Sequence, residues 1–434
     1  MTDGPARAGR VPLRRGVLLS RNFRLLVTCN AISLAGSGVS MVAIPFAVLR
    51  IGGSAADVGY VATAGLGPLI IVLLVGGVIA DRLPRHKVMA GANLLQALAQ
   101  GTSAALVLSD NAAVWELAAM AATGGIGLGF YYPAAQGLLP HTVSADLRTQ
   151  ANAIDRTVRN AASIGGAALG GLLVSLWGPG LGLAVDAASF AVASVLRIGM
   201  RFPKMKRQRA TSLLYDLHDG WHEFVSRGWL WAIVAQFAFL TAIAAATINV
   251  LGPLVAHSAL GGARSWGFII AGYSVGAVVG GLTMLRFRPD RMLLSAVLAI
   301  PMYSVFIFAL AVPLAAPLDI VAAFFSGACL EVFNVNWATT LQQEIPPQKL
   351  SRISSYDALG NYVLTPVGTA IAGPLASAFG NTAVLTAGGT LVVILPALVL
   401  LQPEVRRMRR KTPQVTTLES PSSASPLSDS TGQS

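Results

Sequence analysis

The sequence predicts an all-α integral membrane protein whose twelve transmembrane helices fall into two pseudo-symmetric six-helix halves. Three observations predict it. Of 434 residues, 54% are hydrophobic and only 12% are charged, whereas ordinary soluble domains carry about 25% charged residues. Twelve apolar runs have the length, about 20 residues, that crosses a bilayer. An ungapped offset that places Asp155 on Asp357 also aligns the whole fifth run with the eleventh.

The elements follow in order. Residues 1–22 are a basic tail with Arg7, Arg10, Arg14 and Arg15. Apolar runs near 25–49, 58–80, 88–109, 114–139, 151–176 and 181–200 make an N-terminal bundle over 23–200. The first run is too long for a signal-peptide core and is followed by many more, so it counts as a span. Residues 201–227 form the longest polar interruption, a central loop that opens on Arg201, Lys204, Lys206, Arg207 and Arg209. Runs near 230–257, 266–285, 292–313, 318–341, 354–376 and 382–402 make the C-terminal bundle over 228–402. The tail, 403–434, turns from arginine-rich to Ser/Pro-rich and cannot bury enough surface to fold.

A net charge of +12 would fit a nucleic-acid partner, but the charges sit in the wrong places for one. Of 31 Lys and Arg residues, only Arg50 and Arg264 fall in loops assigned to the outside. The rest cluster in the tails and in alternate loops, which is the positive-inside rule. It predicts a multi-pass protein of the cell membrane with both termini cytoplasmic and no nucleic-acid partner. Cys29 and Cys329 lie within apolar spans, where no disulfide framework is expected.

Between the second and third runs, Gly77, Asp81, Arg82, Arg85 and Lys87 follow the order Gly-x-x-x-Asp-Arg-x-x-Arg-x-Lys. This resembles the signature loop between helices 2 and 3 of the major facilitator superfamily of transporters, with Pro84 where a Gly is usual. The second half keeps Arg286, Arg288 and Arg291, but Leu285 stands where Asp81 would. The stretches 151–154, 170–171, 186–190, 352–360 and 372–374 are similar to the branch containing enterobactin exporters and macrolide efflux pumps. Two features depart from drug/proton antiporters. Residues 114–139 contain no Arg, and 166–171 read Gly-Ala-Ala-Leu-Gly-Gly where Gly-Pro-x-x-Gly-Gly is frequent. The resemblance implies alternating access, with an inner gate at Gly77, Asp81, Arg82 and Arg85 and with Arg352 at the start of the eleventh helix. It also implies two parallel halves related by an axis along the membrane normal. The 202-residue offset fits that relation, superposing Gly166 on Gly368, Ala168 on Ala370, Gly171 on Gly373 and Gly178 on Gly380. Small residues shared at these spacings predict that both helices approach equivalent neighbours closely.

Candidate chemistry rests on few groups. Glu331 lies mid-way along the tenth run, where a carboxylate costs roughly 2.5–3.5 kcal/mol on insertion scales. Such a group either carries protons as its surroundings change between dry and wet or is a hydrogen-bonded structural carboxyl. Asn334 shares its face, and Trp337 is near enough to flank a cavity. Asp155 and Asp357 are read in the first turn of their helices, where acids also simply favour the dipole. Arg156 and Arg159 are potential partners of Asp155, and no basic residue is expected at the depth of Glu331. Asp186, a turn or more into the sixth span, completes the proton-coupling candidates. Asn30, Ser33, Ser37 and Ser40 form one stripe that either faces a water-filled cavity or lets helices approach. Tyr131 and Gln236 are candidates for the same wall.

His218 and His222 have i, i+4 spacing, but no third ligand accompanies them, so no metal is expected. No phosphate-binding Gly-rich Lys motif and no cofactor signature occurs. The best reading is a secondary transporter, a monomer in lipid, that exports an amphiphilic small molecule (drug, antibiotic or siderophore) coupled to proton entry. Uptake of a small nutrient by the same scaffold is the alternative within transport. A membrane-embedded enzyme or receptor would need a clustered metal site or an activated nucleophile, and neither is found.

Overall fold

In the computed structural model the described residues are 20–80, 84–136, 138–144, 147–200, 225–287, 289–346, 353, 357 and 360–409. They form twelve long helices: α1 Arg21–Arg50, α2 Ala55–Ala80, α3 Arg85–Leu108, α4 Val114–Gln136, α5 Arg148–Trp177 and α6 Pro179–Ile198, then α7 Gly228–Ala259, α8 Ala263–Arg286, α9 Met292–Ala311, α10 Ala316–Glu344, α11 Gly360–Phe379 and α12 Asn381–Val399. Ten of them are long and apolar enough to cross a membrane. The other two, α3 and α4, are 24 and 23 residues long. Their mean hydropathy is lowered by Asn93, Gln96 and Gln100 on α3 and by Glu116 and several glycines on α4.

Local chemistry sets the helix ends. The Ser20 hydroxyl accepts from the Phe23 N–H at 3.3 Å and donates to the Thr142 carbonyl at 2.6 Å, which ties the start of α1 to the α4–α5 connection. At the start of α2, Asp57 Oδ2 accepts from the Ser54 N–H at 2.7 Å, a reciprocal cap. Residues 201–224 of the central loop, the signature-loop residues Asp81 and Arg82, Arg352 and both distal tails lie outside the described residues. Gly77 lies on α2, and Arg85 opens α3.

The second half repeats the packing of the first. Helix α1 packs on α5 and α2 on α4, while α3 meets α4 and α6. Correspondingly, α7 packs on α11 and α8 on α10, while α9 meets α10 and α12. The glycine pairs aligned in the sequence meet equivalent neighbours. Gly166 abuts the α1 backbone at Ala35, and Gly368 abuts the α7 backbone at Ala242. Gly178 and Gly380 turn the chain between consecutive helices at φ +84° and +82°, a region other residues rarely adopt.

Between the halves, α2 packs on α11 and α5 on α8. These crossings are tight at the end opposite the start of α1. A β-carbon at Gly267 would stand 2.6 Å from the Gly171 Cα, and one at Gly59 would stand 2.8 Å from the Thr369 carbonyl oxygen. The Thr63 and Thr369 hydroxyls share a hydrogen bond of 2.9 Å across the same seam.

Adjacent glycines on α5 offer a controlled test of this packing. Gly165 has open space where a side chain would go, whereas Gly166 is pressed on α1. Overpacking of that kind costs about 1–3 kcal/mol. Gly166→Leu is expected to lower the thermal midpoint of the detergent-solubilised protein by several degrees, while Gly165→Leu leaves it within about a degree. Fluorescence-detected size exclusion after heating measures both, and equal loss in the two variants would contradict the packing.

Candidate functional site

Two polar centres are built into the N-terminal half. The first lies towards the end where α1 starts. Asn30 of α1 donates to Asp155 Oδ1 of α5 at 2.9 Å, and its own side-chain oxygen accepts from the Tyr131 hydroxyl at 3.0 Å and from Arg197 Nη2 at 2.8 Å. Arg197 also donates to the Tyr131 oxygen at 3.0 Å and stacks over the Tyr131 ring. Arg197 is fully buried, with Nε and Nη1 unpartnered. One asparagine therefore stands between a buried cation and a buried carboxylate, and bonds to both. Arg197 was not among the candidates drawn from the sequence.

This corrects two expectations. Helix α5 begins at Arg148, so Asp155 lies about two turns in, not in the first turn, because the polar residues 148–150 continue the helix past the apolar run. Its partner is Asn30, while Arg156 is exposed and Arg159 half-buried.

The second centre lies deeper. Asp186 is 1% exposed, about two turns into α6. Gln100 of α3 donates Nε2 to Asp186 Oδ2 at 2.9 Å and to Ser40 Oγ of α1 at 2.6 Å. The Ser189 hydroxyl donates to the Asp186 carbonyl at 2.7 Å. This cluster opens on a cavity of about 320 Å³ walled by α1, α2, α3, α4 and α6 and touched by Asn249 from α7. Asn249 lies in a π-helical turn, Thr247–Leu251, that interrupts α7. The serine stripe divides between the two centres. Asn30 belongs to the first, Ser33 is buried and returns its hydroxyl to the Cys29 carbonyl, and Ser37 and Ser40 line the cavity.

In the C-terminal half, Asp357 Oδ1 accepts from the Trp337 indole at 3.1 Å. Asp357 is itself helical, and the residues on either side of it lie outside the described residues. Trp337 is buried against Phe333 and Trp229 and is not among the residues lining the N-terminal cavity. Gln236 occupies on α7 the place of Asn30 on α1, each nine residues after an arginine at the helix start, Arg227 or Arg21. Gln236 is buried with neither amide atom bonded, and Tyr131 is held in the first centre, so neither walls the cavity. Glu331 is half-buried on α10, with Asn334 donating to Oε2 at 3.5 Å. Arg156 of α5 lies near enough to act on its charge without forming an ion pair among the described residues. The helices on which the two residues sit belong to opposite halves.

Comparison with known proteins follows from this geometry. Residues 26–369 match the family model described as Major Facilitator Superfamily. The chain belongs to the major facilitator superfamily. Within this superfamily, the chain is 27% identical over 414 residues to the multidrug efflux pump Tap of Mycolicibacterium fortuitum, covering 91% of this chain and 98% of Tap. It is also 27% identical over 414 residues to the enterobactin exporter EntS of Escherichia coli O1:K1, covering 92% and 96%. Among solved structures, the nucleoside transporter NupG superposes with a TM-score of 0.70 at 14% identity, covering 88% of this chain and 98% of NupG. A bacterial homologue of the lysosomal transporter Spinster, in an inward-facing state, gives 0.68 at 16%, covering 93% and 100%. These structural likenesses show a shared facilitator fold. The chain is thus a multi-pass membrane transporter.

Proposed function

We propose that the protein exports an amphiphilic small molecule across the cell membrane by alternating access, coupled to proton entry. The observation that carries this reading is the one-ended seam between the halves. The tight crossings at Gly171–Gly267, Gly59–Thr369 and Thr63–Thr369 all lie at the end opposite the start of α1. Towards the other end, Tyr132 of α4 and Tyr362 of α11 lie near one another yet are 41% and 51% exposed, and Arg156 and Asn334 are exposed too. A gap closed at one end only is one limit of a rocking cycle.

The charges give the orientation. Arg21, Arg24, Arg85, Lys87, Arg148, Arg286 and Arg291 lie at the end where α1 starts, and Arg50 and Arg264 lie at the other. With the positive end cytoplasmic, both termini are inside and the gap faces inward. The direction of transport follows the two relatives with near-complete coverage, one an efflux pump and the other an exporter. Glu331 is the proposed proton carrier. It is a half-buried carboxylate beside the gap whose neighbour Arg156 sits on the opposite half, so rocking changes its surroundings.

The seam is tested by locking it. The Thr63 and Thr369 hydroxyls already touch, so Thr63→Cys with Thr369→Cys, in a background lacking Cys29 and Cys329, places two thiols in bonding range. Oxidation is expected to abolish substrate efflux from proteoliposomes, and reduction to restore it. Efflux at an unchanged rate in the cross-linked protein would contradict an opening of this end during transport.

Proton coupling has its own test. Glu331→Gln keeps an acceptor and cannot exchange a proton. It is expected to lose accumulation driven by a pH gradient while still equilibrating substrate down its own gradient. Full pH-driven accumulation by Glu331→Gln would reject the role and leave Glu331 a structural group.

A further inference from the structure

We infer that the cavity within the N-terminal half is a binding site for a monovalent organic cation with an apolar body, and that Asp186 is its counter-charge. Among the described residues lining it, Asp186 is the only charged side chain. Its carboxylate meets neutral groups alone: Gln100 donates to Oδ2 at 2.9 Å, and the Ser189 oxygen, whose proton goes to the Asp186 carbonyl, stands 3.5 Å from Oδ1. A buried carboxylate without a cationic partner is costly, and a bound cation removes that cost. Besides Asp186 and Gln100, the lining holds only neutral polar groups, Ser37, Ser40, Gln96, Ser103 and Asn249, each with an oxygen able to accept from an N–H donor.

The rest of the wall selects the body of the ligand. Met41, Met120, Leu128 and Phe190 give an apolar surface with two adaptable thioethers. A hard divalent cation would need several carboxylate or carbonyl oxygens converging on one point. No cluster of three or more His, Cys, Asp or Glu occurs among the described residues. At about 320 Å³ the cavity is at the small end of drug-sized sites. Asn249, from the π-helical turn of α7, is the one lining residue that comes from the other half. A bound ligand therefore touches an element that moves relative to its own half in the proposed cycle. This inference takes its physiological meaning from the export reading, and its test does not depend on transport.

The test measures equilibrium binding of tetraphenylphosphonium and of its anionic counterpart, tetraphenylborate, to the full chain in lipid nanodiscs. The phosphonium is expected to bind and the borate to bind at least tenfold more weakly. Asp186→Asn is expected to weaken phosphonium binding at least tenfold and to remove the preference over borate. Gly124→Leu supplies a second arm, because Gly124 lines the cavity and a β-carbon there meets no protein atom within 4 Å. It should fill the site, fold normally and also weaken phosphonium binding at least tenfold. If Asp186→Asn fails to fold, Gly124→Leu and the phosphonium/borate comparison decide. No phosphonium binding, equal borate binding, or wild-type phosphonium affinity in Gly124→Leu would overturn the site. A cross-linked seam that still transports would overturn the export cycle and leave this site standing.

Discussion

Two helices in hydrocarbon gain little by hiding apolar surface from one another, because lipid tails are as apolar as leucine. What holds them is close backbone approach, and close approach requires residues without bulk. The structure depends on that constraint throughout. Gly38 and Gly166 bring α1 to α5, Gly276 and Gly327 bring α8 to α10, and Gly171 and Gly267 bring the two halves together. The first two sets make each half a rigid body. The third makes a close seam, with the Thr63–Thr369 pair bonded across it. A seam of this kind separates without stranding buried charges, which suits surfaces that part and rejoin in each cycle.

Polar groups are placed accordingly. Arg197, Asn30, Tyr131 and Asp155 pin four helices of one half to each other, and removing any one of them would leave a buried charge or donor unmet. Asp186, Gln100 and Ser40 do the same deeper in that half, but beside a cavity. Glu331, by contrast, is half-buried beside the gap. Within one chain, the fully buried polar clusters fix the shape of a half, and the half-buried carboxyl sits where the proposed rocking would change its surroundings.

Much of the fold was legible in the sequence, because span length and loop charge are properties of single segments. The repeat was legible for a similar reason: Gly166/Gly368 and Gly178/Gly380 are fixed by the same backbone demands in both halves. The site was less so. Arg197 looked like an ordinary arginine at a cytoplasmic helix end, since nothing near it in sequence shows that Asn30 and Tyr131 converge on it. Gln96 and Gln100 were not among the candidates drawn from the sequence, although their i, i+4 spacing on one face with Ser103 was a readable signal. The depth of Asp155 was misjudged because a helix boundary set by the apolar run stops short of the polar turn that starts α5. The cavity draws on six helices, and no segmental pattern assembles it.

The central claim is that the two halves rock as bodies about the glycine-lined seam. Paired spin labels measure this directly in proteoliposomes, one pair at each end. Asp110 and Leu314 are exposed in the α3–α4 and α9–α10 connections at the closed end, and His141 and Arg286 are exposed at the open end. Switching between inward- and outward-favouring pH gradients should lengthen the first distance and shorten the second together. Distances that stay fixed at both ends, or that change in the same direction, would contradict the account.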